Sequence, residues 1–248
     1  MQPQGRKVDL TIVAPAHNEQ DNIDGLVEEV HTVLSATNLS FQMIIVDDGS
    51  TDDTAARVQQ HINAGADWLE LVSLITPPGR GLGPAAGYRA GILRAQGDLV
   101  AILDADRQND PNDLPRMIDA LRQQNIDLVQ GDRSANRRDN LIRRLSSSVG
   151  RLFRSTILGD DIRDSACAIR VMKREVALAI PFEIKGSQRF TAYLARMMGH
   201  KVIQLPVNHR PRIAGKAKFG VWNRALPGLI DLIGVRWMKA RWRNVNTR

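Results

Sequence analysis

What most constrains this 248-residue chain is the regular alternation of strand-like and helix-like segments over residues 8–130, with acids at the strand ends. Val8 to Ala14 is a β-branched-rich run that reads as a buried strand and stops at Pro15. Asn18 is placed to cap a helix over Glu19 to Ser35. Phe41 to Val46 reads as a second strand ending in Asp47-Asp48-Gly49-Ser50, after which Thr51 or Asp52 starts a helix to Ile62. Leu69 to Ile75 is a third strand, and a Gly/Pro-rich loop from Pro77 to Pro84 leads into a helix that reaches Ala95. Leu99 to Leu103 is a fourth strand and runs straight into Asp104-Ala105-Asp106. Pro111 suits the first turn of a helix that ends near Gln124, before a fifth strand at Asp127 to Gln130. Such alternation predicts an α/β fold, a mainly parallel sheet with helices on both faces. Open sheets of this kind bind ligands at the carboxyl ends of their strands. Asp47, Asp48, Asp104 and Asp106 should therefore surround one crevice.

The second half is less regular. A basic amphipathic helix is expected over Asp139 to Leu158, a strand at Ala166 to Met172, a helix at Gln188 to Met198 and a strand at Lys201 to Val207. A basic loop follows, Asn208 to Lys218, and then Leu226 to Trp242, apolar on one side and basic on the other. The formal net charge of +7 is segregated: residues 201–248 hold eleven Lys/Arg against Asp231 alone. A second cluster from Arg133 to Arg154 sets seven arginines against Asp139. This points to an anionic partner, a phosphorylated substrate, a nucleic acid or a lipid surface. The single cysteine, Cys167, excludes an internal disulfide and a multi-cysteine zinc site and suggests a reducing compartment. Residues 1–7 lack the apolar core of a signal peptide, and no run reaches the ~18 apolar residues of a spanning helix. The expected location is cytoplasmic.

In an extended segment, residues two apart point the same way, so Asp104 and Asp106 face one site. Mg²⁺ or Mn²⁺ takes such hard oxygen ligands, commonly one or two carboxylates plus substrate phosphates. Asp47 and Asp48 suit ribose hydroxyls or a base N–H, whereas Asp52 suits a helix cap.

Three ordered motifs carry a resemblance: Pro15-Ala16-His17-Asn18-Glu19, Asp47-Asp48-Gly49-Ser50-Thr51-Asp52, and Asp104-Ala105-Asp106-Arg107-Gln108. The chain resembles glycosyltransferase family 2, and within it the dolichol- and polyprenol-phosphate sugar synthases. The likeness continues through Gly131-Asp132-Arg133, the 143–151 helix, Asp164 to Arg170 and His209 to Phe219. It implies a GT-A fold and inverting transfer from a nucleoside diphosphate sugar (GDP-mannose or a UDP-sugar) to a polyprenyl or dolichyl phosphate. It further implies that Pro15 and Glu19 border the base pocket, that Asp47 and Asp48 hold base and ribose, and that Asp104, Asp106 and Gln108 bind metal and diphosphate. Arg133, Arg143 and Ser147 match positions that contact phosphate. Arg212 and Lys218 would supply charge from a loop over the diphosphate. On this reading residues 1–220 form the catalytic domain and 221–248 a basic amphipathic segment.

The chain departs from the family pattern at Arg107, where an apolar residue is usual, at Asn109-Asp110-Pro111, and at Ala217 before the loop lysine. Those departures bear on the sugar and acceptor more than on the reaction class. The C-terminal segment suits an interfacial helix on the cytoplasmic membrane face, and equally a core-packing or homo-oligomer-forming helix. A soluble acceptor stays open within the same fold. A nucleotidyltransferase would want a Gly-rich N-terminal phosphate loop, but here the glycines come later, at Gly79, Gly81 and Gly83. A non-catalytic nucleic-acid-binding protein is disfavoured because aromatics are only 4% of residues and an acidic crevice repels phosphates.

Overall fold

The computed structural model describes residues 7–77, 79–134, 141–211 and 222–243, with backbone only at 141–149 and 222–226. Among the described residues seven strands form one sheet: β1 (Leu10–Ala16), β2 (Phe41–Asp47), β3 (Leu69–Ser73), β4 (Leu99–Ile102), β5 (Leu128–Asp132), β6 (Arg170–Lys173) and β7 (Val202–Pro206). Their spatial order is β3-β2-β1-β4-β6-β5-β7. All neighbours are parallel except β6, which runs antiparallel to β4 and β5. The expected mainly parallel sheet is thus present, and the 166–172 strand is shorter and reversed. Strand order changes direction between β1 and β4, so a crevice opens beyond their carboxyl ends.

The strand sequences explain the layering. Along β1, Leu10, Ile12, Ala14 and Ala16 face one side and Val13 the other, all buried. The first face is covered by α1 (Gln20–Ser35), α2 (Thr54–Asn63) and α4 (Leu114–Gln123), through Ile23, Leu26, Val30, Val58, Met117 and Leu121. The second is covered by α3 (Pro84–Arg94), α6 (Arg174–Ala179) and α7 (Thr191–Met197), through Tyr88, Ile92, Val176 and Leu194. Side chains absent from α3 let it approach β1 closely. A Cβ on Gly87 would lie 2.6 Å from Pro15 Cβ, and one on Gly91 would lie 2.4 Å from Val13 Cγ1.

Two longer helices complete the second layer, α5 (Leu141–Leu158) and α8 (Trp222–Arg241), lying against each other. Leu232 and Val235 bring α8 into the core beside Phe182, Phe190 and Tyr193. Lys239 Nζ donates to the Leu158 carbonyl (2.7 Å), and Asp231 accepts from Arg189 Nη1 (2.7 Å). The 188–198 segment divides into a short 3-10 turn at Ser187–Phe190 and α7, rather than one helix.

Helix starts differ from expectation in an instructive way. Asn18 does not cap α1; it adopts φ 53°, and its Oδ1 accepts from Thr51 N (2.8 Å). Asp52 serves both helices instead: Oδ2 accepts from Gln20 N (3.2 Å) at the start of α1, and Oδ1 from Thr54 N (3.0 Å) at the start of α2. Burial opposes the charge on Asp52, but these bonds and the one from Thr54 Oγ1 to Asp52 Oδ1 hold its carboxyl below its ordinary range. Asp52→Ala should lower unfolding stability by about 1–2 kcal/mol, the usual cost of a lost cap. Denaturant unfolding of the pair of proteins measures it.

Candidate active site

β4 delivers the central acids. Its ladder with β1 extends one residue further, Leu103 N donating to Val13 O (3.1 Å), and the chain then turns through Asp104-Ala105-Asp106. The turn is tied internally: Asp104 N donates to Asn109 Oδ1 (3.2 Å) and Gln108 N to Asp106 Oδ1 (3.2 Å). Gln108 also meets the segment after β7, since Arg210 N donates to its carbonyl (2.9 Å) and Asn109 forms a backbone bridge with His209. Asn109 and Asp110, two of the departures from the family pattern, are therefore structural. The first fastens the acidic turn, and the second caps a short 3-10 turn by accepting from Asn112 N (3.0 Å).

The environment of Asp104 is unfavourable for its charge. Burial and then the charge of Asp106 push its carboxyl up to about 6. Three groups offset this. Tyr88 on α3, buried edge-on against Phe182 at 5.6 Å, donates its hydroxyl to Asp104 Oδ1 (3.2 Å). Arg133 and Arg170 contribute positive charge. Arg170 is 2% exposed and donates to the carbonyls of Cys167 (2.8 Å), Ala168 (3.0 Å) and Gln188 (3.1 Å). Its charge is left to act on the acids across the site. Sequence reading singled out neither Tyr88 nor Arg170. The available signal was a lone arginine opening the otherwise apolar Ile169–Met172 run.

Arg133, expected as a phosphate contact, sits beside this cluster but is engaged elsewhere. Its Nε and Nη2 grip Asp164 Oδ2 and Oδ1 (2.7 and 3.0 Å), and its backbone N donates to the same carboxylate (3.2 Å). The pair is almost wholly buried. Arg154 is also structural, bound to Asp160, Ser165 Oγ and the Ile162 carbonyl. Burial pushes the Cys167 thiol up to about 12, so it is an inert core group.

At the end of β2, Asp47 and Asp48 are both buried. Asp47 Oδ1 accepts from Ser50 N (3.2 Å). Asp48 accepts from Leu82 N at Oδ1 and Gly83 N at Oδ2, both 2.7 Å. Gly81 passes so close that a Cβ would lie 2.4 Å from Asp48 Oδ2. Asp48 thus organises the Gly81–Gly83 loop, a role that the sequence reading did not assign to it. Pro15 and Glu19 stand at the same rim, Glu19 Oε2 accepting from Asn22 Nδ2 (2.7 Å). Pro15, Asp47 and Asp48 thus lie at the carboxyl ends of β1 and β2, next to the β4 turn that holds Asp104, Asp106 and Gln108, and Arg133 acts on Asp104 from the end of β5. Arg143 and Ser147 fall on α5, whose side chains there are outside the described residues, as are Arg212 and Lys218 altogether.

The acidic turn suits a hard divalent cation. Among the described residues no cluster of three His, Cys, Asp or Glu is present. The two carboxylates alone would leave most of a six-oxygen shell to phosphate oxygens and water, as Mg²⁺ and Mn²⁺ commonly accept. An ion there would also relieve the repulsion that raises Asp104.

Residues 11–180 match the model of the family described as glycosyl transferase family 2. The chain is 29% identical over 232 residues to dodecaprenyl-phosphate galacturonate synthase of Rhizobium johnstonii, covering 93% of this chain and 67% of that protein. It is 30% identical over 216 residues to undecaprenyl-phosphate 4-deoxy-4-formamido-L-arabinose transferase of Sodalis glossinidius, covering 87% and 64%. The chain thus spans about two thirds of the length of these relatives. Among solved structures, glucosyl-3-phosphoglycerate synthase from Mycobacterium tuberculosis with Mn²⁺, UDP and phosphoglyceric acid superposes with a TM-score of 0.66 at 21% identity, covering 92% of this chain and 79% of that one. The mannosyltransferase PcManGT from Pyrobaculum calidifontis with GDP-Man and Mn²⁺ gives 0.64 at 19% identity, covering 97% and 66%. With its GT-A fold and its acids at the strand ends, the chain belongs to glycosyl transferase family 2.

Proposed function

We propose that this protein transfers a sugar from a nucleoside diphosphate donor, GDP-mannose or a UDP-sugar, to a polyprenyl phosphate, with inversion at the anomeric carbon. The observation that carries the reading is the Asp104–Asp106 turn at the β1/β4 switch point, between the nucleotide-side acids and the arginine-rich excursion after β5. Its relatives' names supply the acceptor class. Asp104 and Asp106, with Gln108, would hold Mg²⁺ or Mn²⁺, which supplies charge neutralisation at the diphosphate leaving group. Pro15, Glu19 and Asp47 border the nucleoside, and Asp48 shapes the loop beside it. Arg143 and Ser147, with Arg212 and Lys218, serve the two phosphates, while Arg133 sets the local charge and orients Asp164.

An acceptor phosphate oxygen forms the new bond to the anomeric carbon as the bond to the nucleoside diphosphate breaks. A phosphate monoester is already ionised near neutral pH, so catalysis rests on positioning and charge stabilisation. In this reading residues 1–220 carry the chemistry, and 221–248 serve the cytoplasmic membrane face. The outer stripe of α8 supports that role: Leu229, Ile230, Ile233 and Trp237 are exposed, flanked by Arg236 and Arg241, with Leu152 and Phe153 exposed on α5. Among the described residues no helix is long and apolar enough to cross a membrane.

Asp106→Ala should cut sugar transfer by on the order of 10²–10³-fold. A screen of UDP- and GDP-sugars with Mn²⁺ and polyprenyl phosphate reads it, and full activity in the variant would reject the assignment. The pH dependence has a definite sign. Because the folded value of Asp104 is raised, its favourable contribution to stability is complete below ~3.9 and is lost as pH rises through about 6. Mn²⁺ should therefore raise the melting temperature more at pH 7.5 than at pH 5, and an equal rise at both would contradict it. Ile233→Glu with Trp237→Glu should abolish flotation on anionic vesicles without unfolding the protein, because both side chains point outward.

A further inference from the structure

Arg107 lies between the two residues that close the acidic turn, Asp106 and Gln108, and adopts φ 57°, a left-handed conformation that a side chain disfavours. Its guanidinium lies across α1 at Gly25, where a Cβ would stand 2.2 Å from Nη1 and 2.3 Å from Cζ. One helical turn further along the same face, Glu29 accepts from Arg107 Nη2 at Oε1. Its other oxygen, Oε2, accepts from Arg210 Nη1 (2.8 Å). Arg210 Nη2 reaches Asp110 Oδ1 (2.7 Å), and its backbone N donates to the Gln108 carbonyl (2.9 Å). Charges thus alternate Arg107, Glu29, Arg210, Asp110, and all four are at least half-buried. The chain of pairs joins three separate segments: α1, the acidic turn and the stretch after β7.

We propose that Glu29 is a positioning residue for the metal-binding turn, acting through Arg107 and Arg210, with Gly25 as the cradle that admits the Arg107 guanidinium. The proposal rests on the metal reading given above. Because Glu29 is itself held from both sides, by Arg107 and Arg210, Arg107 cannot relax to the ordinary right-handed region without leaving that pair, and the peptide planes flanking Asp106 and Gln108 keep one orientation. Glu29 itself lies on α1, outside the turn it sets. Outer groups of this kind usually alter metal affinity by about 10–100-fold when removed.

The test is Mn²⁺ binding, read from the electron paramagnetic resonance signal of free Mn²⁺ in the wild type, Asp106→Asn, Glu29→Gln and Gly25→Ala. Each protein is also melted. Glu29→Gln should weaken Mn²⁺ binding roughly 10-fold. Gly25→Ala keeps every charge and improves helix propensity, so its melting temperature should hold or rise while its Mn²⁺ affinity falls several-fold. Loss of affinity without loss of stability is the signature of positioning. Wild-type affinity in both variants would overturn the proposal and leave the metal reading intact. A wild type that binds no better than Asp106→Asn would overturn both. Should Glu29→Gln fail to fold, Gly25→Ala decides alone.

Discussion

Two carboxylates placed side by side at the end of a buried strand repel each other, and much of the local architecture answers that repulsion. Asp104 is driven toward its neutral form by burial and by Asp106. The protein opposes this with a tyrosine hydroxyl and two arginines whose own bonds go to backbone carbonyls or to Asp164. Those cations are fixed before any ligand arrives, so the site is poised rather than balanced. Under the proposed function, a divalent ion would complete the charge pattern that Tyr88, Arg133 and Arg170 begin. Electrostatic work done in advance by fixed groups is the form of catalysis that the proposed reaction, with its anionic nucleophile, would draw on most.

The same crevice is bounded by turns that owe their shape to side chains bonded to backbone N–H groups. Asp48 holds the Gly81–Gly83 loop, Asp52 starts two helices, Asn18 receives Thr51, and Asn109 closes the acidic turn. A buried N–H without a partner costs a few kcal/mol, so each of these short polar residues is fixed by a local accounting of hydrogen bonds. Their abundance at strand ends is a structural necessity as much as a chemical one. In Asp48 the structural use is direct, both oxygens accepting from backbone N–H groups.

This dual use explains what was legible in the sequence. Strand–helix alternation and the order of apolar runs gave the parallel sheet and put Asp104 and Asp106 just past the end of β4, although the chain turns there instead of staying extended. The direction of β6 was not legible, since nothing in a four-residue strand, Arg170–Lys173, encodes which way it runs in the sheet. Nor was the engagement of Arg133 with Asp164, because the partners are 31 residues apart and meet only through the fold. Asn18 looked like a cap by type and position, yet the competing bond from Thr51 won. Tyr88 reads as an ordinary apolar-face residue of α3 until Asp104 is placed against it.

The reversal of β6 has a wider consequence. β5 ends at Asp132 and β6 begins at Arg170, and antiparallel pairing puts both of these ends beside the carboxyl end of β4, with Ile102 opposite Arg170. The connection between β5 and β6, which carries α5, therefore starts and ends on the side of the β4 carboxyl end, as a handle fixed at both ends. Its length and chemistry are uncoupled from strands β1 to β3. A family built this way can exchange the group it glycosylates by rewriting one excursion while the other half of the sheet stays in place.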